Sequence, residues 1–320
     1  MKLEVFLKKY ENVSVEKIQK EERINPVVSV CIQTYQQANY IEECLDSVLE
    51  QNVDFSYEIL IGEDDSNDGT RAICKEYAKR YPDKIRLFLH SRENNIKVAG
   101  HPTGKFNFFY NLFHAKGKYI AICEGDDFWD DVNKLQDQYD FMESHPECSM
   151  CFTAVKTIKN KQPSKSTVKR PPGAKPNRIY SVRNAIIKAG EFAPTASMFF
   201  RQKFLQEVPD WIFYAPVGDM PLTLYLGTKG NFGYLDKASV VRRSMAENSW
   251  SATMNYQRRR GIVKELLSTK ESFNEYTNYQ YNTLVKLEKA RIHFNDKKSI
   301  VKRAIAQTLL GRKLKEWFDL

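Results

Sequence analysis

No run of about 18 consecutive apolar residues occurs in these 320 residues, which excludes a membrane-spanning helix. The mean hydropathy of −0.55 agrees. A secretory leader is also missing: Met1 to Glu22 mixes Lys and Glu throughout, with neither an apolar core nor a small-residue cleavage site, so export is not expected. Cysteine is sparse. The six present (Cys31, Cys44, Cys74, Cys123, Cys148 and Cys151) lie scattered over the first half, mostly in apolar contexts, where free thiols act as small hydrophobes in a reducing, cytoplasmic protein. Cys148 and Cys151 form a lone C-x-x-C without a second pair or an adjacent His, a pattern of core thiols rather than zinc ligands. Two phosphate-cradling glycine patterns are absent as well. Thr34–Tyr35–Gln36–Gln37 stands where G-x-G-x-x-G would follow the first strand, and G-x-x-x-x-G-K-[ST] occurs nowhere, which disfavours dinucleotide cofactors and P-loop phosphates.

What is present is enough apolar material, 42% hydrophobic and 12% aromatic, for one large domain or two modest ones. The net charge of +9 is uneven, because residues 255–320 alone hold 15 Lys/Arg against 7 Asp/Glu. The first 254 residues are close to neutral. Their basic groups show neither an RNA-type aromatic signature nor a recognition-helix pattern, so nucleic acid is set aside as a partner.

From Pro26 the chain repeats one rhythm: a short apolar run, a polar break, then helical periodicity. Strands are expected at Val27–Gln33, Glu58–Ile61, Lys84–Leu89 and Tyr119–Cys123. Helices are expected at Tyr40–Gln51, Arg71–Arg80, Asn107–Ala115 and Asn133–Ser144. This alternation predicts an α/β fold with a doubly wound, mostly parallel sheet, in which ligands bind beyond the carboxyl ends of the strands. Further on, Met150–Ile158, Ser197–Phe200 and Asn231–Val241 read as strands. Lys159–Arg178, with seven Lys/Arg, four prolines and no acid, reads as a solvated loop. Residues 255–320 read as a basic helical extension. The boundaries expected are an N-terminal extension over 1–25 and a main domain over 26–254, in two parts of about 26–130 and about 131–254.

Acidic groups gather after two of the expected strands: Glu63, Asp64, Asp65 and Asp68, then Glu124, Asp126 and Asp127. Both sets should face one crevice. A hard divalent ion, Mn²⁺ or Mg²⁺, takes one or two carboxylates and completes its shell with water and phosphate oxygens, which suits Glu124–Gly125–Asp126. Asp64 is placed to accept hydrogen bonds from a uracil-like base or a ribose hydroxyl.

Val28-Ser-Val-Cys-Ile-Gln-Thr-Tyr35, Glu58-Ile-Leu-Ile-Gly-Glu-Asp-Asp-Ser-Asn-Asp-Gly-Thr70 and Gly117-Lys-Tyr-Ile-Ala-Ile-Cys-Glu-Gly-Asp-Asp-Phe-Trp129 resemble, in order and spacing, three successive signatures of family 2 glycosyltransferases. The continuation through Asp131, Lys134, Leu135, Gln136 and Gln138 resembles a bacterial branch that builds capsular and other surface polysaccharides. Residues 26 to 250 carry the likeness. It implies a GT-A fold, a nucleotide-diphosphate sugar donor (UDP above all), a divalent metal and transfer with inversion to a glycan or lipid-linked glycan. Carried over, Thr34, Tyr35, Glu63, Asp64 and Glu124 would line the nucleotide, with Asp126 and Asp127 at the metal. Glu124 stands where Asp more often opens this motif. Asp219, in the polar break Val217–Gly218–Asp219–Met220–Pro221, resembles the general base and could be partly desolvated there. Arg242 and Arg243 would neutralise the diphosphate, and Ser244 stands where a His is expected. Trp129, Thr195, Ser197 and Trp250 are candidates for the acceptor side.

The tail, in which Leu309, Trp317 and Phe318 punctuate Lys and Arg residues, suits either an anionic membrane surface from the cytoplasmic side or packing on the protein itself or a second copy. Three rival readings stand beside the transferase: a sugar-phosphate nucleotidyltransferase, which would need a glycine-rich basic loop after the first strand; a glycoside hydrolase; and a non-catalytic assembly subunit that binds donor.

Overall fold

Strands covered on both faces read as unbroken apolar runs, and the first strands of this chain have that character. In the computed structural model, which describes residues 1–20, 25–98, 100–159, 162–171, 173–244 and 256–307, the chain opens with α1 (Leu3–Tyr10), β1 (Glu16–Ile18), β2 (Val28–Thr34), α2 (Ile41–Leu49), β3 (Tyr57–Glu63), α3 (Thr70–Arg80) and β4 (Ile85–Leu89). A small hairpin follows, β5 (Lys97–Val98) and β6 (His101–Pro102), then α4 (Lys105–His114), β7 (Tyr119–Glu124), β8 (Phe128–Trp129) and α5 (Lys134–Ser144). Next come β9 (Cys148–Lys159), β10 (Gln162–Lys169), β11 (Arg178–Tyr180), α6 (Val182–Phe192) and β12 (Phe199–Arg201). The last elements are α7 (Asp219–Leu226), β13 (Asn231–Ser244), α8 (Tyr256–Tyr276) and α9 (Asn282–Gln307).

One sheet runs in the order β1-β4-β3-β2-β7-β12-β9-β13-β11, with β10 on β9 and β8 on β13. The block β4-β3-β2-β7 is parallel, as expected from its alternation with helices. β12 then enters antiparallel to both β7 and β9, and β13 returns parallel to β9. Helices cover both faces. Val30, Ile32, Ile59 and Ile61 pack with Leu45, Val48, Cys74 and Tyr77 on the side of α2 and α3. Cys31, Leu60 and Ile122 pack with Phe106, Phe109 and Leu112 of α4 and with α6 and α7 on the other. All six cysteines are free and buried, as their apolar contexts predicted.

Several elements depart from the sequence reading. The segment expected as a loop over Lys159–Arg178 contains β10 and the first residue of β11. β10 is held by backbone pairing to β9, which requires no apolar alternation, and its exposed, Lys-rich end blunts the sheet edge. The strand expected at Ser197–Phe200 starts only at Phe199, after a 3-10 turn over Thr195–Ser197. The N-terminal residues belong to the core: fully buried Phe6 stacks on Phe106 at 5.4 Å between ring centroids and lies 5.6 Å from Phe213. α8 and α9 pair and lie against the domain through Phe273, beside Trp211, and Val285. Leu309, Trp317, Phe318 and Trp250 lie outside the described residues. None of the described helices is long and apolar enough to cross a membrane.

Candidate active site

β2, β3 and β7 end together, with Thr34 level with Glu63 and Gln33 level with Glu124. The apolar runs set this register, and the acids that follow them are thereby delivered to one edge. Two corners result.

At the first corner the Asp64 N–H donates to Thr34 O at 3.1 Å. The Asp64 carboxylate accepts from Arg92 Nη1 at 2.5 Å and from Asn95 Nδ2 at 3.1 Å. The Arg92 guanidinium also stacks over the half-exposed ring of Tyr35, 3.9 Å from its centroid. Asp64 is 2% exposed. Burial pushes its pKa up to about 6 despite the opposing charge of Arg92. Fully buried Glu63 is committed to the loop itself: it accepts from Ser66 N at 2.7 Å and pairs with Arg71. No motif pointed to Arg92 or Asn95, which come from the 3-10 turn after β4 and its end.

The second corner is the turn Glu124–Asp127. Gly125 N donates to Gln33 O at 3.0 Å, and a Cβ on Gly125 would lie 2.5 Å from Gln37 Oε1 and 2.8 Å from Thr34 Oγ1. Only glycine fits this close approach. Glu124 and Asp126 share their surroundings with Asp219, the first residue of α7. Thr195 Oγ1 donates to Asp219 Oδ2 at 3.2 Å and also bonds Glu124. Burial first, then repulsion from Asp126 and Asp219, pushes the Glu124 pKa up to about 8, with Arg242 opposing. Burial likewise raises Asp219 and Asp126, again with Arg242 opposing. Gln37, which no motif signalled, hydrogen-bonds Asp126.

Among the described residues no group of three or more His, Cys, Asp or Glu side chains gathers in a metal-ligand cluster. Glu124 and Asp126 nonetheless supply the one or two carboxylates that Mg²⁺ or Mn²⁺ takes when substrate phosphates complete its shell, and their mutual repulsion would be relieved by a cation. The residues present therefore fit such an ion.

The family model described as glycosyl transferase family 2 matches residues 29–207. The chain belongs to that family. An uncharacterized protein of Mycobacterium tuberculosis is 34% identical over 236 residues, covering 72% of this chain and 63% of its own length, so the chain spans less than two thirds of that relative. A Bacillus subtilis protein named TuaG, a teichuronic acid biosynthesis glycosyltransferase, is 33% identical over 128 residues, 40% of this chain and 46% of its own. Among solved structures, S. aureus TarS residues 1–349 superpose with a TM-score of 0.60 at 19% identity, over 91% of this chain and 78% of that one. The same TarS fragment in complex with UDP-GlcNAc gives a TM-score of 0.54 at 19% identity, over 80% and 72%. A mannosyltransferase from Pyrobaculum calidifontis, in complex with GDP-Man and Mn²⁺, gives 0.55 at 16% identity, over 98% and 85%. The fold shared with these structures is GT-A, as the motifs implied.

Within this family 2 domain the remaining predicted residues divide. Arg242 is exposed and acts electrostatically on Glu124, Asp126 and Asp219. Arg243, expected at the diphosphate, is 9% exposed and turned to the protein: it donates to Asp126 O at 2.7 Å, pairs with Glu43 and lies over the rings of Tyr40 and Phe128. Asp127, expected at the metal, is buried and accepts from Arg243 N at 2.9 Å, which ties the turn to β13. Trp129, expected to stack on a sugar, is 3% exposed, donates from Nε1 to Ala196 O at 3.0 Å, and carries the Lys134 ammonium 3.8 Å from its ring. Ser197 is fully buried and donates to Pro194 O. A large aromatic or a hydroxyl names a chemistry but not a side of the backbone, which is why the sequence put both on the acceptor surface.

Proposed function

We propose that this chain is an inverting, metal-assisted glycosyltransferase that moves a sugar from a nucleotide-diphosphate donor, a UDP-sugar, to a glycan or lipid-linked glycan acceptor. The observation that carries the reading is the convergence of Glu124, Asp126, Asp219, Thr195 and Arg242 at the strand ends. The TarS structure with UDP-GlcNAc and the Pyrobaculum structure with GDP-Man and Mn²⁺ support a nucleotide sugar and a divalent ion on this fold.

In this reading the donor half, residues 26–130, holds the nucleotide: Asp64 and Arg92 meet the polar edge of the base and Tyr35 lies along it. Asp126, with Glu124, holds the metal ion, which when bound supplies positive charge to the diphosphate. Arg242 adds charge beside the same phosphates. In the acceptor half, residues 131–254, the Asp219 carboxylate accepts the proton of the acceptor hydroxyl as that oxygen bonds to C1 and the bond from C1 to the phosphate oxygen breaks. The electron pair leaves with the nucleoside diphosphate. Burial favours this role, because a carboxyl raised from its ordinary value is a stronger base when ionised. Thr195 orients that carboxylate.

A thermal-shift panel of UDP-, GDP- and dTDP-sugars with Mn²⁺ selects the donor. With that donor, Asp219→Asn should lower kcat by about 10²- to 10⁴-fold with little change in donor binding. Turnover at the wild-type rate would remove Asp219 from the role of base.

An anionic membrane surface is a second partner, favoured by Leu287 and Phe294 on α9. They stand seven residues apart on one helix face and are 64% and 66% exposed, on a helix that also carries Lys286, Lys289 and Arg291. Removing residues 255–320 should then abolish co-sedimentation with phosphatidylserine vesicles, and equal sedimentation with and without them would discard this partner.

A further inference from the structure

Lys105 opens α4 and is 2% exposed, one of the most deeply buried cations of the molecule. Among the described residues its ammonium is bonded to no carboxylate. It donates to Ala215 O at 2.5 Å and also to Phe213 O. These two carbonyls flank the end of the 3-10 turn Asp210–Tyr214 and begin the short passage to Gly218 and Asp219. One turn further along α4, Phe108 closes on the same passage: a Cβ on Gly218 would lie 3.1 Å from Phe108 Cδ1. The opposite connections of α4 run to the donor strands. Asn107 Nδ2 donates to Gly62 O of β3 at 2.7 Å, and Asn111 Nδ2 to Ile32 O of β2 at 3.0 Å.

One helix therefore grips the strands that end at the nucleotide corner with two amides, and the approach to Asp219 with an ammonium and an aromatic ring. We propose that Lys105 is a positioning residue that, through the Phe213–Ala215 backbone, fixes the Asp219 carboxylate relative to the donor strands. This rests on the reading of Asp219 as the base. Burial without a bonded carboxylate pulls the lysine down to about 7, so the group is costly to keep where it is. An apolar side chain of similar length would satisfy packing at less expense, and stability alone does not account for the ammonium.

The test is a double-mutant cycle with Lys105→Met and Asp219→Asn in the full chain, reading kcat, donor KM, UDP binding with Mn²⁺ and melting temperature, with the donor chosen by the panel above. Lys105→Met should fold, bind UDP as the wild type does, and lose on the order of 10- to 100-fold in kcat with donor KM nearly constant. In the Asp219→Asn background the same change should cost almost nothing, because no carboxylate remains to be misplaced. A folded Lys105→Met with unchanged kcat, or an equal loss in both backgrounds, overturns the proposal. Wild-type turnover by Asp219→Asn overturns the base assignment instead, and the two failures are thus distinct. Should Lys105→Met fail to fold, Phe108→Leu enters the same cycle: a loss confined to the wild-type background supports the coupling of α4 to Asp219, and an equal loss in both overturns it.

Discussion

The two corners at the strand ends solve the same problem, acids drawn out of water, in opposite ways. At Asp64 the carboxylate has Arg92 and Asn95 as direct partners, and its pKa rises only to about 6. At the Glu124–Asp127 turn the acids face one another and Asp219, with Arg242 as the opposing cation, and Glu124 is pushed to about 8. The Arg92 guanidinium and the Asn95 amide complete the first corner. The second holds excess negative charge that a bound cation would relieve. On the proposed reading the contrast is one of preparation: a nucleotide base asks for fixed donors and acceptors, and a phosphate-bound metal for repulsion released on binding.

Separate perturbation of each corner tests this contrast. The largest effect is expected at the charged corner, where Asp126→Ala should abolish the stimulation of donor binding by Mn²⁺, a loss of about 10- to 100-fold in affinity by calorimetry. A variant that still responds fully to the metal would erase the distinction. At the paired corner Arg92→Ala should weaken the nucleotide by about tenfold, the worth of one charge-assisted hydrogen bond, by the same factor with and without Mn²⁺. A metal-dependent loss would merge the corners. The last effect concerns stability rather than affinity. The folded pKa of Asp64 lies above its ordinary 3.8, so the folded state binds this proton more tightly than the unfolded chain and loses stability as pH rises from about 4 to 6. Asp64→Asn should accordingly be more stable than the wild type at pH 7.5, by roughly 3 kcal/mol at most, and the advantage should fade on acidification to pH 4. A difference that does not change with pH would mean that Arg92 fully offsets burial.

Part of each corner was legible because its pattern is local: an apolar run ending in acids marks a strand and its carboxyl end together, as at Ile59–Ile61 before Glu63 and at Ile120–Cys123 before Glu124. Asp219 was legible as a polar break between apolar segments. Arg92, Asn95 and Gln37 were not, because nothing in residue type distinguishes a loop side chain that turns inward from one that faces water. Trp129 and Ser197 show the converse error, functional chemistry assigned to groups that the backbone turns into the core. Arg243 and Asp127 show a subtler one: adjacent residues of a motif point to opposite sides of a strand or turn, so one of each pair faces the crevice while its neighbour ties the turn to β13. The missed β10 and α6 reflect the weakness of a periodicity argument where Lys and Pro interrupt the pattern or where a helix is half covered.

β12 has only three residues, yet Phe199 pairs with Ala121 of β7 on one side and Cys151 of β9 on the other. The strand is a narrow seam that joins the two parts of the sheet, and the 3-10 turn bearing Thr195 leads directly into it. A ligand that settles against Asp219 and Thr195 should therefore stiffen this seam. Its amides are the place where deuterium uptake should slow when donor and acceptor meet.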